Sequence, residues 1–403
     1  MGKIAFAGNS GPKVRSDCRI SIELSSNGGI EIHLNSKVMS MYGRSIKQLV
    51  EDMLVFFEIE NARVEVEDKG ALPFVIMARL ESAIRKIIHT ERIYIPQGNS
   101  GAFQESSVDR FRLTRLYLPG NSPALMLNAG IHKPDGVILD LEDSVAPDRK
   151  EEARFLVRNA LVSLDFMAAE RMVRINQLPN GLKDLAFIVP YNVQLILIPK
   201  CEGPEQVIAV LDEIELIKKD AGVFLMPIIE SALGIERAFE IAVASSKVVA
   251  MTIGLEDYTA DIGVKRSPEA KESFYARTRL VNACKAAGIQ AIDSVFSDVG
   301  DMEGLRNAVQ VSRSLGFEGM GCIHPRQINI IKEGFLPVEE EIEKAKKIIM
   351  AYDDAMERGL GVVSLGTKMI DAPVVKRAEN TLQLAVGHGT LSPDWKNDLK
   401  TGH

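Results

Sequence analysis

The chain has 403 residues, 46% of them hydrophobic and 26% charged, with a formal net charge of −7. This is globular composition, at a length that suits two domains or one large barrel with an appendage. The acidic balance lacks the footprint of a nucleic-acid or anionic-membrane binder, so neither partner is expected.

Cys18, Cys201, Cys284 and Cys322 lie far apart with no CxxC pair. That spacing argues against a zinc ribbon or disulfide framework and suits a reducing cytoplasm. The opening MGKIAFAGNSG lacks the long apolar core of a signal peptide. Apolar runs elsewhere are broken well short of the ~20 residues of a membrane span. The expectation is a soluble, cytoplasmic protein.

In chain order, CRISIEL (18–24), GIEIHLNS (29–36) and ARVEVED (62–68) alternate with period two and are expected strands. RSIKQLVEDMLVFFEI (44–59) and FVIMARLESAIRKII (74–88) have helical spacing. Together they predict a small α+β domain over residues 1–92, followed by a Gly/Ser/Asn/Gln-rich linker over 93–111. From residue 112 the rhythm changes. Apolar runs, each followed by a helical pattern, recur as LTRLYLPG, GVILDLED, RMVRIN, QLILIPK, VFLMPIIE, VVAMTIGLED, AIDSVFSD and GMGCIHP. Eight is the count of a closed parallel barrel, and continuous apolar runs suit strands buried on both faces. The expected fold class is α/β: a (β/α)8 TIM barrel over 112–345 with a C-terminal helical extension over 346–403. An open doubly wound sheet is the competing layout.

Catalytic residues of such barrels sit at the C-terminal strand ends. That places Asp140, Glu142 and Asp143 of VILDLEDSV at a mouth, with Arg174, Lys200, Glu230, Asp257, Asp298 and His324. Glu230 and Asp257 end almost wholly apolar runs, and two such carboxylates suit one Mg²⁺ with positions left for substrate and water. The competing reading is a helix cap or an arginine partner. Arg174 offers a fixed fork for a substrate carboxylate or an oxyanion, or a partner for Glu142 and Asp143. Lys200 raises a Schiff-base aldolase as a rival, and His324 is a general base or a structural turn. Ser-His-Asp spacing, GxGxxG and the phosphate-loop pattern are absent.

The ordered motifs LYLPGNSPALMLNAG, VILDLEDSVAPDRKEEAR, MVRIN, IPKCEGPEQV, IIESALGIERAFEIA, GLEDYTADIG, GFEGMGCIHPRQI and KMIDAPVVKRA resemble the citrate lyase β-subunit/malyl-CoA lyase family. The resemblance implies a Mg²⁺-dependent carbon–carbon lyase, in a trimer or a multiple of one. Such enzymes cleave a 3-hydroxyacyl thioester of citryl or citramalyl type into a 2-oxo acid and an acetyl thioester. It implies Glu230 and Asp257 as metal ligands and Arg174 as the substrate's arginine. Glu142 and Asp143 become acids that orient it, and Pro119, Gly120 and Asn121 a substrate-binding turn. Asp371 of KMIDAP becomes an acid/base reaching a neighbouring subunit's site; its plainer reading is a helix cap before APVVKRAE.

The N-terminal stretch RVEVEDKGALPFVIMARLESAIRK is similar to the citrate lyase acyl-carrier (γ) subunit, which bears phosphoribosyl-dephospho-CoA on serine. AGNSGPKVRSD has a longer spacer than the carrier motif, with Arg15 where the modified serine stands. Ser16 is the nearest attachment candidate and Ser10 the next. An acyl-transferase (citrate lyase α-like) subunit is the partner this implies. The alternatives are a malyl-CoA-type enzyme using free CoA thioesters with an unmodified carrier-like domain, and a non-catalytic carrier or scaffold.

Overall fold

A computed structural model describes residues 3–98, 105–267, 269–359, 363–365 and 368–397. The N-terminal part is a four-stranded sheet carrying two helices. β1 (Ile4–Gly8), β2 (Cys18–Leu24), β3 (Ile30–Ser36) and β4 (Ala62–Asp68) lie in the order β1-β2-β4-β3, with β3 parallel to β4 and the other pairs antiparallel. α1 (Met39–Phe56) follows β3, and α2 (Pro73–Arg85) follows β4. Period-two burial makes one sheet face apolar: Ala62, Val64 and Val66 are buried while Arg63, Glu65 and Glu67 are exposed. α1 turns Ile46, Val50, Met53 and Leu54 inward, at helical spacing.

α2 is different. Proline at its first position suits the start of a helix, but almost every later residue, Phe74 to Ile84, is buried. A helix buried all round needs covering on both sides. Its own sheet supplies one cover, and α4 (Lys150–Ser163), a helix of the barrel, supplies the other. Inside that seam the charges are paired. Arg79 grips Asp17 with two hydrogen bonds of 3.0 and 2.9 Å, and Arg158 of α4 grips Glu81 at 3.2 and 2.6 Å. The Asn159 amide also donates to the Phe74 carbonyl at 3.0 Å. The domain that reads as a separate module is therefore seated on the barrel's flank.

The barrel strands are β5 (Thr114–Pro119), β6 (Gly136–Asp140), β7 (Glu170–Arg174), β8 (Leu195–Ile198), β9 (Phe224–Ile229), β10 (Ala250–Ile253), β11 (Gln290–Ile292) and β12 (Met320–Cys322). All eight expected runs form strands, in the parallel order β11-β10-β9-β8-β7-β6-β5-β12. A parallel bridge between Asp293 and Met320 closes the ring. The interior is packed by Ile138, Met172, Leu195, Leu197, Met226 and Ile228, so the lumen opens only toward the strand ends. The helices between strands are α3 (Pro123–Met126), α4 (Lys150–Ser163), α5 (Leu182–Ile188), α6 (Pro204–Ile217), α7 (Ala232–Glu236), α8 (Ala238–Ala242), α9 (Leu255–Asp261), α10 (Phe274–Ala287) and α11 (Met302–Leu315). α12 (Arg326–Phe335) follows the last strand.

The described parts of residues 301–313 and 329–403 form a second compact unit. It contains α13 (Glu339–Glu357), the antiparallel hairpin β13 (Val363–Leu365) and β14 (Lys368–Ile370), and α14 (Ala372–Gly387). Ile342, Ile349, Ile370, Leu382 and Trp395 make its own small core.

Candidate active site

Register brings the first pair together. Asp140 ends β6, Arg174 ends β7, and the two are direct partners in the parallel ladder. Side chains at that register leave the strands on the same face, and the Arg174 fork closes on both Asp140 oxygens at 2.7 Å. Its remaining amine lies 2.9 Å from Glu142 and 3.4 Å from Asp143. Asp140 also accepts from the backbone nitrogens of Glu142 and Ser144, at 2.9 and 3.2 Å. One carboxylate thus orders both the arginine and the turn that presents the other acids. Burial alone would push the Asp140 carboxyl up, but the Arg174 bonds outweigh it and hold the group below its ordinary range. Burial likewise opposes the Arg174 charge, and Asp140 more than restores it. The guanidinium also stands over the Tyr117 ring, 5.4 Å from its centroid.

The second group faces it. Glu230, one residue past β9, is 5% exposed and accepts from the Lys200 backbone nitrogen at 2.7 Å. It bends over the end of β10, where a Cβ on Gly254 would collide with its carboxylate; glycine is required there by close approach. Asp257, in the first turn of α9, is 44% exposed. Burial pushes the Glu230 carboxyl up to about 8, and the nearby Asp257 charge adds to that rise. The Lys200 ammonium lies 3.2 Å from Glu142 and 3.9 Å from both Asp143 and Asp257. Burial works against its charge, but Glu142 and Asp143 lift its pKa above the ordinary lysine value. A Schiff-base lysine needs the opposite shift.

These groups border a cavity of about 470 Å³ at the strand ends, lined by Pro119, Asp140, Asp143, Arg174, Glu230, Asp257 and, toward its floor, Arg115, Tyr117 and Thr252. Seven of the mouth residues read from sequence converge here: Asp140, Glu142, Asp143, Arg174, Lys200, Glu230 and Asp257. Pro119 lines the cavity, whereas Gly120 and Asn121 lie outside its wall. The Gly120 nitrogen donates to the Asp140 carbonyl at 2.7 Å, and the Asn121 carbonyl accepts from Arg79 at 3.1 Å. His324 accepts from the Arg326 nitrogen at 3.1 Å, the structural-turn reading. Asp298 accepts from the Gly300 nitrogen in a loop. Asp371 caps α14, accepting from the Val374 nitrogen at 3.2 Å. Ser16 is half-buried beside Asp17, and Ser10 is exposed.

Sequence reasoning assigned no role to Asp140 beyond its place at the mouth, and did not single out Arg115. No local signal separates Asp140 from Glu142 and Asp143, because its pairing with Arg174 is set by the β6–β7 register of the folded sheet. Arg115 in LTRLYLPG lies between Thr114 and Leu116, and a charge inside an otherwise largely apolar strand run is a visible break in pattern.

Residues 113–325 match the HpcH/HpaI aldolase/citrate lyase family. The chain belongs to this family. Residues 6–87 match an acyl-carrier family described as malonate decarboxylase delta subunit, in keeping with the carrier-like reading of the N-terminal domain. The citrate lyase subunit beta of Leuconostoc mesenteroides subsp. cremoris is 38% identical over 288 residues, covering 69% of this chain and 94% of that one. The mitochondrial citramalyl-CoA lyase of Rattus norvegicus is 33% identical over 286 residues, covering 67% of this chain and 85% of that one. Among solved structures, protein CitE from Mycobacterium tuberculosis in complex with magnesium, acetoacetate and coenzyme A superposes with a TM-score of 0.58 at 28% identity, covering 68% of this chain and 98% of that one. The family is one of carbon–carbon lyases, and the lyase class read from the motifs stands with it.

Proposed function

We propose that this chain cleaves a 3-hydroxyacyl thioester of citryl or citramalyl type into a 2-oxo acid and an acetyl thioester, with Mg²⁺ bound by Glu230 and Asp257. The observation that carries the reading is the shared cavity of the Arg174–Asp140 pair and the buried Glu230. One side holds a fully compensated cation, and the other a carboxylate whose charge lacks compensation. A buried carboxylate pushed toward neutrality, next to a half-exposed acid, suits a hard cation with oxygen ligands. Among the described residues no group of three or more His, Cys, Asp or Glu is placed to hold a metal ion by itself. Mg²⁺ on the two carboxylates would take its remaining positions from waters or substrate oxygens. When bound, it supplies Lewis-acid polarisation of the substrate's hydroxyl and carboxylate oxygens.

The chain's own residues do the rest. Arg174, held by Asp140, clamps the carboxylate of the 2-oxo-acid half and fixes its plane. The carbinol hydroxyl gives its proton to a mouth carboxylate, and its C–O bond becomes the keto carbonyl. As the adjacent C–C bond breaks, its electron pair passes to the thioester α-carbon as an enolate. Asp371 of a neighbouring protomer, in a trimer or a multiple of one, protonates that carbon. Lys200 keeps Glu142, Asp143 and Asp257 from repelling one another while empty of substrate.

The carrier-bound form of the thioester is supported by a chain of contacts within the N-terminal half. Asp17, next to Ser16, binds Arg79, and Arg79 donates to the Asn121 carbonyl, two residues beyond cavity-lining Pro119. An arm on this loop starts beside the barrel mouth. Full activity on free CoA thioesters by protein of unmodified mass selects the malyl-CoA-type alternative instead. The central test is a pair of variants: Glu230→Gln and Asp257→Asn abolish Mg²⁺ binding by calorimetry and thioester cleavage together, while circular dichroism stays that of the wild type. Cleavage that survives either substitution moves the metal site elsewhere.

A further inference from the structure

Four arginines are among the largest fully buried side chains of this protein: Arg79, Arg112, Arg115 and Arg158. Three of them grip a carboxylate. Arg79 holds Asp17, Arg112 holds Glu170, and Arg158 holds Glu81. Arg115 holds none. It is 0% exposed. One of its amines meets the Met226 sulfur at 2.9 Å, the other reaches the Thr252 hydroxyl at 3.4 Å, and Nε has no partner. Among the described residues no carboxylate pairs with it.

A guanidinium taken out of water without a counter-charge is costly, so such a group either serves a partner that arrives later or is replaced without loss. Neutralising itself is not open to it. Burial lowers its pKa only to about 10, which leaves it charged at neutral pH. Its position says where the partner arrives. Arg115 projects from β5 into the barrel and lines the same cavity as Arg174 and Glu230. Its Thr252 contact lies on the residue paired with Ile228, two positions before Glu230 on β9. By strand rise the charged tip sits about 6.6 Å below the Glu230 level. A four-carbon dicarboxylate places its carboxyl carbons about 4 Å apart, and a guanidinium hydrogen bond of about 2.8 Å spans the remainder, so one end can sit at the mouth and the other at the floor.

We propose that Arg115 binds the distal carboxylate of the substrate's 2-oxo-acid half. The chain therefore favours a substrate releasing a 2-oxo dicarboxylate over one releasing a 2-oxo monocarboxylate. This rests on the lyase reading above and sharpens it: citryl-type substrates keep that second carboxylate, and citramalyl-type substrates have a methyl there. Met226 and Thr252 supply the wall, and the bidentate face of the guanidinium supplies the selectivity.

The test uses the full chain with Mg²⁺, measuring binding of oxaloacetate and pyruvate by calorimetry for the wild type, Arg115→Met and Arg115→Lys. Wild type prefers oxaloacetate. R115M loses on the order of 10- to 100-fold in oxaloacetate affinity, as expected for a charge-assisted pair, and keeps its pyruvate affinity. R115K recovers part of the loss, because charge returns without the fork. Without ligand, R115M melts no lower than the wild type, since an uncompensated buried charge has been removed. Equal losses for both ligands, an unchanged oxaloacetate affinity, or a ligand-free R115M that melts lower each overturn the assignment and make Arg115 structural. Should R115M fail to fold, that outcome also makes it structural. A wild type that binds pyruvate as tightly as oxaloacetate overturns this assignment alone. One that binds neither overturns the lyase reading as well.

Discussion

Glu230 carries a proton-linked cost that can be measured. Folding buries its carboxyl and raises its pKa to about 8, against about 4.3 in an unfolded chain. The folded protein therefore holds a proton that the unfolded one releases. The stabilisation this gives is complete below about pH 4 and is lost as pH rises through about 8. A divalent cation competes for the same oxygens, so Mg²⁺ affinity in metal-free protein should rise roughly tenfold per pH unit up to about 8 and then level off. Calorimetric titration of the wild type across that range checks it. A flat profile in the wild type would mean that Glu230 is already ionised. At this scale the sequence was readable where an acid ended an apolar run, as at Glu230 and Asp257. It was silent where function depends on who pairs with whom. Asp140, Glu142 and Asp143 look alike in VILDLEDSV; only the β6–β7 register singles out Asp140 as the arginine's anchor.

Elements explain why the N-terminal domain reads as independent and is not. The strands and helices of that domain follow from period two and helical spacing, and all eight barrel strands follow from apolar runs. α2 shows where pattern stops. Helical spacing in FVIMARLESAIR says nothing of where Arg79 and Glu81 find partners, and both are buried against groups up to 77 residues away in sequence. No local signal reports a partner at that distance. The seam makes its own prediction. Glu81→Gln leaves the Arg158 guanidinium buried without its counter-charge and should cost about 3–5 kcal/mol, read as a lower midpoint in urea. The double variant Glu81→Leu/Arg158→Met replaces the pair with apolar groups and should recover most of that loss. If both melt alike, the pair lies outside the folding energetics of the seam.

At the scale of the whole molecule, the neighbouring-protomer role proposed for Asp371 is tested by complementation. Asp371 caps α14 through a bond to the Val374 nitrogen, a role that leaves its other oxygen for a second task. Asp371→Asn should fold and bind Mg²⁺ yet cleave on the order of 10²–10⁴-fold more slowly, the scale of a lost general acid. Mixed with Arg174→Ala under conditions of subunit exchange, it should regain activity, because some sites would then hold both native groups. Exchange without recovery would place Asp371 outside the chemistry and leave it a cap.

The seat of the carrier-like domain on α4 has a kinetic consequence. With Arg79 and Arg158 clamping both sides of α2, the loop of residues 9–17 stays with one barrel and does not shuttle among many. An arm attached to this loop would then have a fixed origin, and its encounter with the site would be a first-order event with an effective concentration on the order of millimolar. For an acyl group attached to this loop, turnover per chain should be indifferent to dilution and to added free carrier protein, whereas a carrier acting as a separate subunit would show both dependences.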